Sequence, residues 1–129
     1  MPYTYTRDDQ NRRIVISLKG TFTANEGLAT VEQRRADVDA MTYGVLYDLR
    51  SLVGQPSVGD LKQFMDAEAV PPAGEQPRQA RGAIAFLVTD AGSYEKACIY
   101  RALGRGKLSI EVFRDYEEAD GWLTTKAIR

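Results

Sequence analysis

The chain has 129 residues, of which 43% are apolar and 27% charged, the balance of one soluble globular domain over residues 1–129 and not of a disordered or membrane-embedded chain. Its 17 basic and 18 acidic residues leave a net charge of -1, so no global field draws it to nucleic acid or to an anionic membrane. There is no histidine and a single cysteine, which removes Ser-His-Asp and Cys-His catalysis, histidine-based zinc sites and internal disulfides together.

The start, MPYTYTRDDQNRR, has no apolar signal-peptide core, and no apolar run approaches the roughly 20 residues that cross a bilayer, so a cytoplasmic location without a membrane span is expected. Tyr3-Thr4-Tyr5-Thr6 and the alternating stretch Arg13 to Lys19 read as two strands joined by the turn Asp8-Asp9-Gln10-Asn11, an N-terminal β-hairpin. In the second strand Ile14, Ile16 and Leu18 form one face, and Arg13, Ser17 and Lys19 form a wet or half-covered one. Thr23-Ala24-Asn25-Glu26 has capping-box spacing, and Leu28, Val31, Val38 and Met41 continue it as a helix over about residues 24 to 40, its apolar stripe interrupted by Arg34-Arg35.

Val45 to Leu49 is nearly continuous in apolar residues, with Asp48 as its interior charge, and predicts a central parallel strand covered on both faces. Pro56-Ser57-Val58-Gly59-Asp60 opens a second helix, with Ser57 as N-cap and Leu61, Phe64 and Met65 inward. The run VPPAGEQPRQAR at 70–81 holds three prolines and predicts a long loop of the kind that is functional or disordered. Ala83 to Val88 is a second buried strand, and Asp90 caps a helix carrying Ala97, Cys98, Ile99, Ala102 and Leu103, which Gly104 ends at C′. Leu108, Ile110 and Val112 alternate as a last strand. Asp115-Tyr116-Glu117-Glu118 caps a short helix with Ala119, Trp122 and Leu123 inward, and Thr124 to Arg129 is expected to fray.

The order ββαβαβαβα predicts an α/β fold, a mixed and mainly parallel sheet of about five strands with four helices and right-handed crossovers. The strand end Val45-Leu46-Tyr47-Asp48-Leu49-Arg50, the helix start Pro56-Ser57-Val58-Gly59, the strand Ala83 to Val88 and the closing Glu118-Ala119-Asp120-Gly121-Trp122-Leu123 together resemble the SpoIIAA-like group of small bacterial domains. That group includes the STAS domains of sulfate transporters and anti-sigma-factor antagonists and the CRAL-TRIO or Sec14-type lipid-binding domains. The resemblance spans nearly the whole chain and is closest to the uncharacterised stand-alone STAS/SEC14-type proteins. It implies a SpoIIAA-like fold, with regulatory protein contacts on the STAS side and lipid binding in a pocket on the Sec14 side. In anti-sigma-factor antagonists a D-S-[S/T]-G motif places a phosphorylated hydroxyl at the start of the second helix. Here Gln55-Pro56-Ser57-Val58-Gly59 stands in its place, so Ser57 matches that hydroxyl or precedes it by one residue, with Val58 in its position.

Open α/β sheets bind ligands beyond the carboxyl ends of their strands, where helix N-termini offer free N–H groups. The partner or ligand candidates on that face are Asp48, Arg50, Ser57, Thr89, Asp90, Tyr94 and Arg114, with Ser57 also the candidate phosphoacceptor. Phe22, Thr23, Ser51, Ser93 and Asp115 share the face, and capping alone accounts for Thr23, Ser57, Asp90 and Asp115. Asp48 and Arg50 lie two apart on one strand face, as a structural ion pair or as an anion site.

Cys98 reads as a packed thiol, and Gly104-Arg105-Gly106-Lys107 reads as a turn, since it follows a helix where a phosphate loop would precede one. Arg12-Arg13, Arg34-Arg35 and Arg101-Arg105-Lys107 read as solvated surface cations. Tyr94, Tyr100 and Tyr116 either line a groove or fill the core. No metal, cofactor or convergent catalytic set is indicated. The leading expectation is a non-enzymatic regulatory module acting on a protein partner or by self-association, with Ser57 at the contact surface. The alternative is a carrier or sensor of a small amphipathic or anionic ligand, which requires an enclosed apolar cavity beneath the second helix and the 70–81 loop.

Overall fold

Isoleucine and leucine at alternate positions of Arg13–Gly20 make a strand, β2, because a period of two puts Ile14, Ile16 and Leu18 on one face of the pleat. A computed structural model describes residues 3–69 and 82–126, so the predicted 70–81 loop lies outside the described residues. β1 (Tyr3–Asp8) pairs antiparallel with β2, and β3 (Gly44–Leu52), β4 (Ile84–Leu87) and β5 (Ile110–Phe113) continue in parallel, in the order β1-β2-β3-β4-β5. Helices α1 (Ala24–Ala36), α2 (Val58–Ala69) and α3 (Ala91–Leu103) connect successive parallel strands and pack side by side, as right-handed crossovers along a sequentially ordered sheet require. The last helix, α4 (Tyr116–Lys126), covers β3, β4 and β5 from the other face.

The two faces carry different cores. Beneath α1, α2 and α3, Tyr47 stacks on Phe86 with ring centroids 5.2 Å apart and Phe64 stacks on Tyr100 at 4.8 Å, among aliphatic residues of β2 to β5 and Tyr3 of β1. The core under α4 is thin: Leu46, Ala83, Ala85, Leu87, Ala119 and Leu123. α4 does not extend over β1, so Thr4 and Thr6 are exposed and Ser17 of β2 is half-exposed, the wet face that the alternation predicts. Arg13, expected on that wet face, is instead buried, paired with Asp120 and 3.2 Å from Thr124 Oγ1 in α4.

Arg34 departs furthest from its expected place. It does not interrupt the buried stripe of α1 but lies inside it, 1% exposed, with Nη1 donating to Glu68 Oε1 at 2.5 Å, and Glu68 is 0% exposed. Tyr47 Oη lies 3.5 Å from the guanidinium and 3.1 Å from Thr30 Oγ1, which in turn donates to Gly27 O at 2.7 Å. Burial by itself lowers the pKa of a guanidinium, but Glu68 and Tyr47 outweigh it and hold Arg34 charged. Burial pushes the Tyr47 phenol up to about 12.

The helix expected over 24 to 40 stops at Ala36, because side chains of β1 claim the next carboxylate: Tyr5 Oη and Arg7 Nη1 donate to Asp37 at 2.8 and 2.6 Å. Val38 is consequently 74% exposed, and a short 3-10 turn, Ala40–Thr42, follows. β3 runs three residues past its predicted end at Leu49, while Leu108 stays outside β5. Gly104 does end α3, but with φ -90° and not in the left-handed form; a Cβ there would meet Met65 Cε at 2.7 Å and Ile110 Cδ1 at 2.9 Å. α4 holds its helix to Lys126 where fraying from Thr124 is predicted, with Thr124 and Thr125 hydroxyls donating to the carbonyls of Asp120 and Trp122 at 2.9 and 2.7 Å; residues 127–129 lie outside the described set.

Removing Glu68 strands a buried guanidinium. Glu68→Leu is expected to lower the free energy of unfolding by about 3–5 kcal/mol, and the double change Arg34→Leu with Glu68→Leu to recover most of it. Urea unfolding of both variants measures this; equal losses in the two would mean that the ion pair is not the source.

Candidate functional site

The carboxyl ends of the parallel strands form a rim into which the N-termini of all four helices open. Its polar residues are mostly consumed by those helix starts, whose first N–H groups lack partners within the helix. Thr23 Oγ1 accepts from Glu26 N–H at 3.2 Å, Ser57 Oγ from Asp60 N–H at 3.0 Å, Asp90 Oδ2 from Ser93 N–H at 3.0 Å, and Asp115 Oδ1 from Glu117 N–H at 3.0 Å. Hydrogen bonds from the Ser93 side chain and, to a smaller extent, its backbone N–H hold the Asp90 carboxyl below its usual range. Thr89 is exposed beside it.

Gln55, which the sequence did not single out, ties the loop before α2 to the start of α3: its Nε2 donates to Asp90 Oδ2 at 3.2 Å and to Ser93 Oγ at 3.3 Å. Its one sequence signal is its place between the end of β3 and Pro56. Ser57 therefore sits on a loop pinned at both ends, exposed, with its hydroxyl at the α2 N-terminus.

Asp48 and Arg50 do pair. Arg50 Nε reaches Oδ1 at 3.0 Å and Nη2 reaches Oδ2 at 2.9 Å, and the Arg50 backbone N–H adds a third bond at 3.1 Å. The hydrogen bond from Arg50 holds the Asp48 carboxyl below its usual value, against a smaller opposing effect of burial. Both carboxylate oxygens are thus occupied, and an anion would have to compete with Asp48 for Arg50. The other candidate pair lies on the α3 side, where the Arg114 guanidinium covers the Tyr94 ring at 4.4 Å. Among the described residues no hydrogen bond or ion pair joins the two pairs, so the candidates form separate local contacts and not one convergent centre.

Between α2 and α3 an apolar cleft is lined by Phe22, Leu52, Pro56, Leu61, Phe64 and Tyr100 among others, and its free space is about 30 Å³. That is room for a water or two, whereas sites for small organic ligands run to roughly 300–1,000 Å³. Tyr100 lines it from within the core, while Tyr94 lies under Arg114 and Tyr116 is 47% exposed. Cys98 is half-buried against the larger core, as a packed thiol should be, with Sγ 3.9 Å from Arg101 Nη2. Among the described residues no three acidic or cysteine side chains gather as a metal site, and no helix is long and apolar enough to cross a membrane.

Exposed apolar side chains mark the rim more clearly than its charges do. Val53 is 81%, Val58 41% and Tyr116 47% exposed, and all three belong to the rim; among the described residues one more large apolar side chain is exposed, Val38, at the opposite end of the sheet. Val53 and Val58 flank Ser57 in the chain, and no pattern in the sequence separates them from buried valines.

No family model matches the sequence, and none of the curated proteins matches it. Solved structures do match. An anti-sigma factor antagonist from Mycobacterium paratuberculosis superposes with a TM-score of 0.58 at 12% identity, over 94% of this chain and 93% of its own. An uncharacterised protein of the DUF3478 family with a SpoIIAA-like fold, from Shewanella loihica, gives a TM-score of 0.56 at 14% identity, over 94% and 91%. The chain therefore has the SpoIIAA-like, STAS-type α/β fold that its element order and strand ends resemble.

Two outcomes follow from the bonds of the rim. Ser57→Ala removes the α2 cap and is expected to cost about 1 kcal/mol in urea unfolding, with Ser57→Asp restoring most of it. A carboxyl whose folded pKa is depressed adds stability above its unfolded pKa and loses it as the pH falls through the folded value. Asp48→Asn should therefore flatten the fall of the urea midpoint below pH 3.8, the ordinary carboxyl value, and leave its pH dependence near neutrality unchanged; an unaltered acid limb would show that the Asp48–Arg50 bond adds nothing.

Proposed function

We propose that the protein is a small cytoplasmic regulatory module that acts by binding a protein partner through its rim, with Ser57 and the first turn of α2 at the centre of the contact. The observation that carries this reading is that exposed Val53, Val58 and Tyr116 all lie on the rim, with Val53 and Val58 on either side of Ser57 in a loop tied to α3 by Gln55. Apolar side chains presented on a preorganised surface with polar groups around them are the anatomy of a protein interface, since docking them costs little ordering entropy. Likeness in fold to a protein named as an anti-sigma factor antagonist supports a regulatory role. In this role the module needs no catalysis of its own, and Asp48, Ser57 and Asp90 of the rim serve an ion pair and two helix caps.

Ser57 gives this surface a means of control. Its hydroxyl is exposed and stands where the α2 N-terminus favours negative charge, so a phosphoryl group transferred there would be held by the free N–H groups of the first turn. The same charge, set between Val53 and Val58, would oppose an apolar contact.

A photo-crosslinking residue placed at position 53 or 58 of the full chain in cells of its source should yield a discrete protein adduct, and one at position 38, equally exposed at the other end, should not. Adducts of the same kind from all three positions, or from none, would remove the rim as the contact surface.

A further inference from the structure

The outer edge of β5 is a second unpartnered surface, set toward the amino ends of the strands and away from the rim. Ile84 N–H donates to Ser109 O at 2.8 Å, and Val88 N–H donates to Phe113 O at 2.9 Å. Ser109, Glu111 and Phe113 therefore turn their backbone groups inward to β4, and the alternation of a strand turns those of Ile110 and Val112 outward. Among the described residues no strand lies beyond β5.

The outward N–H of Val112 is nevertheless occupied. It donates to Oε1 of its own neighbour, Glu111, at 3.1 Å, and the same oxygen accepts from Arg101 Nη1 of α3, which reaches around the edge. One carboxylate thus satisfies a strand-edge N–H and a guanidinium together. These are the two bonds that an incoming acidic strand would make, one through a backbone carbonyl and one through a side chain.

The surroundings have the matching charge. A groove of about 430 Å³ runs along the edge, with Arg101, Arg105 and Lys126 as its cations, Trp122 as its aromatic wall and Glu111 as its one acid. Arg101 is engaged by Glu111, whereas among the described residues neither Arg105 nor Lys126 has an ion pair; Lys126 lies over the Trp122 ring at 6.0 Å. Edge strands left open invite pairing with other chains, and proteins commonly close them with charged side chains. Here the closing charge is opposite in sign to the groove around it, so it occupies the edge in the manner of a ligand.

We propose that the β5 edge is a docking site for an extended acidic segment of a partner protein, which adds to the sheet beside β5, and that Glu111 is an internal occupant displaced when it binds. The segment's backbone takes the Ile110 and Val112 groups, and its carboxylates take Arg101, Arg105 and Lys126. A peptide fits better than a nucleic acid because the outward strand groups match another backbone and supply nothing specific to phosphates. Glu111 sets the threshold for binding, since both its charge and its bond to Val112 compete with the incoming strand.

The test uses a fluorescein-labelled octapeptide of alternating Glu and Val, blocked at both ends, and the full chain. Anisotropy reports the peptide, and the fluorescence of Trp122, the single tryptophan, reports the groove. Binding to Glu111→Ala is expected to be about tenfold tighter than to the parent, the effect of removing one like charge and one competing acceptor. Glu111→Gln, which keeps the side chain's shape, should gain in the same direction and decides the matter if the alanine variant melts early. Arg105→Glu should abolish binding in either background, and the amide signal of Val112 should shift with peptide added. The proposal is overturned if neither Glu111 variant binds more tightly than the parent, or if a Lys-Val octapeptide or a single-stranded DNA octamer binds equally well.

Discussion

Two opposite charges with no water around them set the arrangement of the helical layer. Each would cost several kcal/mol alone in the interior, so Arg34 of α1 and Glu68 of α2 can be buried only where they meet. Aliphatic surfaces of two neighbouring helices tolerate small slides along each other; a 2.5 Å ion pair does not. Tyr47 of β3 stands between them and the sheet, and with Thr30 it anchors the pair over the central strand. The register of α2 over β3 follows, and with it the place where α2 begins. Ser57 and Val58 owe their position at the rim to a contact at the opposite end of the same helix.

The rim and the β5 edge show two ways in which polar groups can leave a surface free for others. At the rim the hydroxyls and carboxylates turn inward to the backbone and satisfy helix starts, so apolar side chains face outward on a stiff support. At the edge the backbone itself faces outward, and a side chain is spent to cover it. Polar residues of similar type therefore carry opposite meanings at the two sites, and only their bonding partners separate them.

Elements whose cause is local were readable from the chain. Alternation gave the strands, Thr23, Ser57 and Asp90 marked the helix starts, and a spacing of two brought Asp48 and Arg50 together. What was missed depends on partners far away in sequence. Arg34 looks like a break in an amphipathic stripe because Glu68 is 34 positions distant, and Arg13 looks solvated because Asp120 is 107 positions distant. Val38 fits the helical spacing, yet Tyr5 and Arg7 capture Asp37 just before it. Gly104 ends α3 as its position predicts, but the demand for glycine there is space for Met65, far away in sequence, and for Ile110. The candidate site divides in the same way: its caps and its ion pair were legible, but the outward valines and the covered edge required the order of the strands.

That order has a consequence for how the chain is made. The sheet is laid down as β1-β2-β3-β4-β5, the order of synthesis, so no strand must wait for a later one to be inserted between it and its neighbour. Each unit of helix and strand can dock on a surface already present as it leaves the ribosome, which favours folding from the N-terminus onward. Only α4 must reach back, across β5 and β4 to β3 and, through Asp120, to Arg13 in β2. Until it arrives, the thin alanine-rich core of the second face stays wet. The final helix is thus the fastener of the domain, and a nascent chain lacking it would hold its parallel strands with one face uncovered.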